Sequence, residues 1–169
     1  MNKEQILRCV DHTLLRPNAT FNDIKVLCDD AILFKTASVC IAPSFVRDAA
    51  KYTNKHIPIC TVIGFPNGYN TTKTKIKEAE DALINGASEI DMVINLGWCS
   101  EHSWTKIQSE ISEIKHVCGN NILKVIVETC LWNDDEKIEL CRIVSNSGAD
   151  FIKTSTGFSF KGATRDDIA

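Results

Sequence analysis

Strand and helix patterns alternate along the sequence, and this alternation limits the possible folds more than any other feature. Short apolar runs bounded by glycine, proline or polar residues predict strands, and the longer segments between them carry apolar residues at helical spacing. The junction at residues 86–91 (Gly-Ala-Ser-Glu-Ile-Asp) resembles that at residues 148–153 (Gly-Ala-Asp-Phe-Ile-Lys). Six successive strand-helix units of this kind predict a parallel sheet.

The predicted strands cover residues 11–15, 37–42, 57–63, 89–95, 122–129 and a sixth run within 148–157. The main predicted helices cover residues 3–10, 72–85, 104–117 and 136–145, with two more that begin near residues 20 and 43. We expect the sixth strand to be buried. The helix at 72–85 is expected to bury Ile84 and to expose its charged residues, including Lys75. The final residues, 166–169, are predicted to begin a sixth crossover helix.

Two architectures suit such a chain, an open doubly wound sheet and a closed β/α barrel. No Gly-x-Gly-x-x-Gly follows the first predicted strand, which disfavours a dinucleotide-binding sheet. Polar residues inside the predicted strands (Asp91, Lys124, Glu128 and Lys153) favour a barrel, whose interior can hold a layer of converging charges.

Composition narrows the list of partners and compartments. The 169 residues carry a net charge of -3 and no basic stripe, so a nucleic-acid partner is not expected. No apolar run approaches the roughly 20 residues of a membrane span, so no membrane partner is expected either. The charged N-terminus lacks the apolar run of a secretory signal, and we predict a cytoplasmic protein.

The cysteines and histidines do not form a metal-binding pattern. Eight cysteines are present, but no Cys-x-x-Cys pair occurs, and the four histidines are scattered. The sequence therefore predicts free thiols in a reducing compartment and no metal site.

Lys153 lies near the end of the sixth predicted strand, between apolar neighbours. Loss of hydration there would lower the pKa of its ammonium and leave part of it as the free amine that attacks a carbonyl. This is what a Schiff-base lysine requires. The alternative is a lysine that extends to solvent or pairs with a buried carboxylate.

Two other charged positions can face the same interior. Alternation of side chains along a strand allows Asp91, Lys124 and Lys153 to point inward near the carboxyl ends of neighbouring strands, where barrel active sites lie. Lys124 would further lower the pKa of Lys153, and Asp91 could move protons during formation and breakdown of a carbinolamine. A structural ion cluster with no catalytic role is the alternative.

Six segments together resemble one enzyme family: residues 11–15 (Asp-His-Thr-Leu-Leu), 39–43 (Val-Cys-Ile-Ala-Pro), 62–68 (Val-Ile-Gly-Phe-Pro-Asn-Gly), 89–93 (Glu-Ile-Asp-Met-Val), 123–129 (Leu-Lys-Val-Ile-Val-Glu-Thr) and 151–157 (Phe-Ile-Lys-Thr-Ser-Thr-Gly). The family they resemble is deoxyribose-phosphate aldolase. The resemblance implies a (β/α)8 TIM barrel and a class I lyase of deoxyribonucleotide and carbohydrate catabolism, with no metal or other cofactor. Such an enzyme cleaves 2-deoxy-D-ribose 5-phosphate to D-glyceraldehyde 3-phosphate and acetaldehyde.

The resemblance also implies roles for individual residues. Lys153 matches the Schiff-base lysine, Asp91 the proton-relay aspartate and Lys124 a lysine that lines the site. The positions implied to border the substrate are Asp11, Thr13 and Cys40, together with Thr156 and Gly157 at the start of the phosphate-binding loop.

The sequence also departs from the family pattern. Family members continue through a seventh strand, which carries a second catalytic lysine, and an eighth strand, which completes the phosphate site. Residues 1–169 are therefore interpreted as a single barrel domain, C-terminally incomplete, that supplies about six βα units. Two alternatives stay open, another Schiff-base or transaldolase-like lyase and an inactive fragment that binds a sugar phosphate or a partner chain. Exposed sheet edges predict self-association, for example as a homo-oligomer.

Overall fold

The computed structural model describes residues 2–168 and contains the predicted succession of strands and helices. The strands are β1 (Asp11–Leu14), β2 (Ser38–Ile41), β3 (Ile59–Ile63), β4 (Glu89–Val93), β5 (Ile122–Ile126) and β6 (Phe151–Lys153). They form a sheet in which hydrogen-bonded neighbours follow chain order, and the pairs β1–β2, β2–β3 and β5–β6 are parallel. This order is the one expected when each strand is followed by a right-handed crossover.

Helices connect the strands. They are α1 (Lys3–Leu7), α2 (Phe21–Phe34), α3 (Val46–Thr53), α4 (Thr72–Ile84), α5 (Leu96–Ser100), α6 (Trp104–Cys118) and α7 (Asp134–Asn146), with 3-10 turns at Pro43–Phe45 and Thr129–Leu131. The sequence did not predict α5 or the second 3-10 turn. Thr20 and Asp23 form a capping box at the start of α2, and Asn133 caps α7.

The end of the chain begins another turn. Thr164 and Asp167 exchange hydrogen bonds between the backbone N–H of each and the side chain of the other, at 2.7 and 3.2 Å. The N–H of Ile168 donates to the carbonyl of Arg165. This is the bonding expected at a helix N-terminus. Residues 166–169 were predicted to begin a sixth crossover helix, and the last of them, Ala169, lies outside the described residues.

The chain divides into two compact units. The first comprises Met1–Val62 and Asp81–Ile90, and the second comprises Ile63–Glu80 and Asp91–Ala169. In the first unit α2 packs against α3, β1 and β2. Its core includes apolar residues spaced at one helical turn on α2, namely Ile24, Leu27, Cys28 and Ala31.

The second unit contains most of the charged residues discussed below. Here α6 packs against α7 and β5, and α7 also contacts β6. The buried face of α6 consists of Ile107, Glu110, Ile111, Ile114 and Cys118, an apolar stripe that includes one carboxylate. No helix of residues 2–168 is both long enough and apolar enough to cross a membrane.

The predicted burial of β6 is wrong for this chain. Phe151 is 55% exposed and Ile152 is 43% exposed. β6 pairs with β5 along one edge, and no strand of residues 2–168 pairs with its other edge. Only one side of the strand is therefore covered.

Two predictions for α4 are also wrong. Lys75 is fully buried, and Ile84 is 81% exposed. The buried face of this helix is set by Ala79 and Ala82. Lys75 precedes Ala79 by four residues and so shares its face, whereas Ile84 follows Ala82 by two residues and points to the opposite side.

Gly68 offers a test of the loop that follows β3. Its φ is +72°, and a Cβ there would collide with the carbonyl oxygen of Ile94. Gly68→Ala should therefore lower the free energy of unfolding by at least about 2 kcal/mol, from backbone strain and the clash together. Urea denaturation measures this. Gly162→Ala is the control, because no atom lies within 4 Å of its Cβ position. Equal stability of the two variants would contradict the loop geometry.

The cysteines offer a second test. All eight lie among the described residues and none forms a disulfide bond; Cys9 and Cys141 are exposed. Burial raises the pKa of Cys28 to about 11, of Cys99 to about 12 and of Cys118 to about 11. Iodoacetamide at mildly alkaline pH should alkylate the exposed pair rapidly and these three only after unfolding, as peptide mass mapping would show.

The same thiols predict how stability depends on pH. In the unfolded chain they ionise near 9.0, whereas in the folded chain Cys28 and Cys118 keep their protons to about 11 and Cys99 to about 12. Their contribution is therefore complete below pH 9.0 and is lost as the pH rises through this window. In the iodoacetamide test, rapid alkylation of Cys99 in the folded protein would contradict the burial of its thiol.

Candidate active site

Three charged side chains from consecutive strands meet in the second unit. Lys153 of β6 donates a hydrogen bond from Nζ to Oδ2 of Asp91 on β4. Lys124 of β5 lies with Nζ 3.5 Å from Oδ1 of the same carboxylate. The β5–β6 register pairs Ile126 with Lys153, so the two lysines lie two register positions apart on one face. The structure thus brings together the three residues predicted to be catalytic.

The three groups differ in solvent access. The side chain of Asp91 is 1% exposed, that of Lys124 is 7% exposed and that of Lys153 is 31% exposed. A buried carboxylate is costly unless it is paired, and here two ammonium groups pair with it. The most accessible member is the lysine that would have to meet a substrate.

A second buried ion pair lies next to this cluster. Lys75 of α4 forms a salt bridge of 2.9 Å with Glu110 of α6, and both side chains are 0% exposed. Lys75 Nζ also donates to the carbonyl oxygen of Val93, at 2.8 Å. Val93 ends β4, two residues beyond Asp91. The pair therefore holds the end of the strand that carries the central carboxylate.

The Lys75–Glu110 pair depends on its surroundings. Burial lowers the pKa of Lys75 and raises the pKa of Glu110, while each partner opposes the shift of the other. Thr72 donates to Glu110 from its hydroxyl, at 3.1 Å. A side chain at Gly64 would place its Cβ 2.6 Å from Lys75 Cε, so glycine gives the lysine room to pass.

The loop after β6 is tied to the segment that follows β5. Thr156 donates from both its backbone N–H and its hydroxyl to the carboxylate of Glu128. Glu128 is 2% exposed and lies beyond β5 rather than inside it, so the predicted strand end at residue 129 is wrong. Gly157 follows with φ +81° and open space around its Cβ position.

The other predicted substrate-binding residues belong to the first unit. Asp11 accepts a hydrogen bond of 2.8 Å from the hydroxyl of Ser38, and the hydroxyl of Thr13 donates to the carbonyl of Asp11. Cys40 is buried on β2 and is paired with Thr13 in the strand register. These residues are therefore brought together along β1 and β2.

Comparison with known proteins decides the family. The sequence model of the DeoC/LacD family aldolases matches residues 6–169, nearly the whole chain. The chain belongs to this aldolase family.

Individual relatives agree with this assignment. The chain is 53% identical over 165 residues to deoxyribose-phosphate aldolase of Clostridioides difficile, a match that covers 98% of this chain and 75% of the relative. A crystal structure of a protein from Coccidioides immitis superposes with a TM-score of 0.96 at 39% identity, covering 99% of this chain and 67% of that one. These matches confirm the predicted α/β-barrel class, of which the chain supplies six βα units.

A more distant solved structure is deoxyribose phosphate aldolase of Aeropyrum pernix, described as tetrameric. It superposes with a TM-score of 0.88 at 31% identity, covering 94% of this chain and 68% of that one.

The sequence analysis missed the buried ion pair of this aldolase, although a signal for it was present. Glu110 falls on the apolar stripe of α6, between Ile107 and Ile111. Lys75 shares the face of α4 that carries Ala79. A single charge on the buried face of each of two helices is unfavourable unless the charges meet, and this rule would have paired them.

The ion pair gives a prediction for stability. Lys75→Met should cost about 3–5 kcal/mol of unfolding free energy, because it leaves the Glu110 carboxylate buried without its cation. Lys75→Met combined with Glu110→Gln should recover part of this loss, because no uncompensated charge remains. Chemical denaturation measures both.

Lys77→Met is the matched control, because Lys77 lies on the same helix with its side chain 72% exposed, and it should leave the unfolding midpoint unchanged. A Lys75→Met midpoint equal to that of Lys77→Met would show that the pair does not support the fold.

Proposed function

We propose that this aldolase cleaves 2-deoxy-D-ribose 5-phosphate to D-glyceraldehyde 3-phosphate and acetaldehyde through a Schiff base on Lys153. Two findings support the proposal. The relatives that cover most of the chain are named deoxyribose-phosphate aldolase. The carboxylate of Asp91 lies between Lys153 and Lys124, an arrangement that suits proton transfer at an amine nucleophile. The second observation carries the proposal, since it concerns the reacting groups of this chain.

The first half of the reaction forms the imine. Lys153, as the free amine, attacks the aldehyde carbon (C1) of the open-chain sugar and gives a carbinolamine. Loss of the C1 oxygen as water needs a proton donor near that oxygen. Asp91 contacts Lys153 directly, so it is placed to pass protons between the amine and the departing oxygen.

The second half breaks the carbon–carbon bond. A base removes the proton of the C3 hydroxyl, and the C2–C3 bond breaks as the C3 carbonyl forms. The electron pair of the broken bond moves into the protonated imine, which becomes an enamine, and D-glyceraldehyde 3-phosphate leaves. Protonation of the enamine at C2 and addition of water then release acetaldehyde and restore Lys153. Lys124 contributes a fixed positive charge that offsets the charge of Asp91 throughout.

Roles in substrate binding stay predictions. The loop at Thr156 and Gly157 is proposed to receive the phosphate, and Asp11, Thr13 and Cys40 are proposed to border the sugar, as the family resemblance implies. A homo-oligomer is also proposed. The exposed apolar residues of β6 favour self-association, and the Aeropyrum pernix relative is a tetramer.

Product analysis tests the proposal. The protein is incubated with 2-deoxyribose 5-phosphate, and NMR quantifies acetaldehyde and D-glyceraldehyde 3-phosphate. The parent should release both in equal amounts. Lys153→Ala should abolish release, and Asp91→Asn should slow it by about 10²–10⁴-fold, the usual contribution of a proton-transfer group.

The matched control is Lys73→Ala, which removes an exposed lysine on α4 and should leave the rate unchanged. Release by Lys153→Ala at the parental rate would refute the assignment of Lys153. Cleavage of a different aldol but not of this sugar phosphate, by the same Lys153-dependent route, would instead indicate another Schiff-base lyase.

A further inference from the structure

Glu128 has an unusual backbone and a buried carboxylate. Its φ is 56° and its ψ is 62°, a left-handed backbone conformation that residues other than glycine adopt only at an energetic cost. The residue is 2% exposed. A strained, buried, charged residue persists only when surrounding contacts hold it in place, and such residues cluster at functional sites. Neither the family roles nor the proposed reaction uses Glu128.

The carboxylate of Glu128 contacts the loop that follows Lys153, and the thiol of Cys130 lies 4.0 Å from its Oε1. The backbone N–H of Thr156 lies 3.3 Å from each carboxylate oxygen, and the hydroxyl of Thr156 donates to Oε2. The Thr156 hydroxyl in turn accepts a hydrogen bond of 3.0 Å from the backbone N–H of Phe158. The carboxylate therefore sets the position of Thr156, and Thr156 sets the turn that contains Gly157.

The neighbours of Glu128 extend this connection to the lysine. The N–H of Val127 donates to the carbonyl of Lys153 at 3.0 Å, and the N–H of Thr129 donates to the carbonyl of Thr154 at 2.8 Å. Three consecutive residues after β5 thus bind residues 153, 154 and 156. Hydrogen bonds to a charged acceptor are stronger than those between neutral groups, so the short bond from the Thr156 hydroxyl to Glu128 is the strongest of this set.

We infer that Glu128 is a positioning residue for the aldolase reaction: its carboxylate holds residues 154–158 in the conformation that presents Lys153 to the substrate. The inference rests on the proposed function, since it concerns the geometry of the proposed Schiff-base lysine. Both donors of Thr156 are directed at Glu128, so Thr156 contributes to substrate binding by fixing the backbone of the loop. The substrate phosphate would then accept hydrogen bonds from other donors of the loop, such as the backbone N–H of Gly157.

Paired variants test this role with two measurements. Hydrogen exchange of the amides in residues 154–158 reports on the loop without any ligand. The rate of borohydride-trapped adduct formation with acetaldehyde reports on Lys153. Glu128→Gln replaces one accepting carboxylate oxygen by an NH2 group, which cannot accept a hydrogen bond. Thr156→Val removes the hydroxyl. Each should speed exchange at Thr156 and slow trapping by about tenfold or more.

Two controls separate positioning from stability. Thr156→Ser keeps the hydroxyl and should restore both values to within about twofold of the parent. Glu101→Gln removes one negative charge at an exposed position and should change neither. The double variant Glu128→Gln/Thr156→Val should be no slower than either single variant, because both remove the same interaction. Should Glu128→Gln fail to fold, the Thr156→Val and Thr156→Ser pair decides, since Thr156 is only half-buried.

Faster amide exchange with an unchanged rate of adduct trapping would overturn the positioning role. Exchange and trapping rates of Glu128→Gln and Thr156→Val that both equal those of Glu101→Gln would also overturn it. If the parent forms no adduct at all, the proposed function fails. The exchange measurement then decides by itself whether Glu128 orders the loop, and an unchanged exchange rate would overturn the inference.

Discussion

The buried carboxylate of Asp91 is the constraint on which the site depends. It lies on β4 with its side chain 1% exposed, and its negative charge is stable there because Lys124 and Lys153 approach it from the next two strands. This pairing fixes the positions of β4, β5 and β6 relative to one another. It also places the amine proposed as the nucleophile in contact with a group that can exchange protons with it, which is the requirement for imine chemistry.

The surrounding structure supports this arrangement from two sides. Lys75 and Glu110 form a buried ion pair that holds the carbonyl of Val93 and therefore the end of β4. Glu128 holds the loop after β6 through Thr156. In both places a buried charged group that has no part in the proposed reaction supports an element that carries one of the proposed reacting groups. Such supporting contacts keep a site within the narrow geometric limits that catalysis requires.

The sequence predicted the fold well because the alternation of strands and helices is a property of local pattern. It also predicted that Asp91, Lys124 and Lys153 converge, since alternate residues on parallel strands share a face. Its errors arose where burial depends on more distant contacts. Lys75 was predicted to be exposed because it is charged, although its position on α4 places it on the buried face. β6 was predicted to be buried, although only one of its edges is paired. The proposed role of Glu128 depends on a left-handed backbone conformation, which a glutamate in the sequence does not predict.

The most direct test of the account is to locate the covalent intermediate. The protein is treated with acetaldehyde and sodium borohydride, digested, and mapped by mass spectrometry. We expect one reduced adduct on the peptide that contains Lys153 and none on the peptide that contains Lys124, because Lys153 is the more accessible of the two lysines paired with Asp91. An adduct on Lys124, or no adduct on the folded protein, would contradict the assignment of Lys153 as the nucleophile.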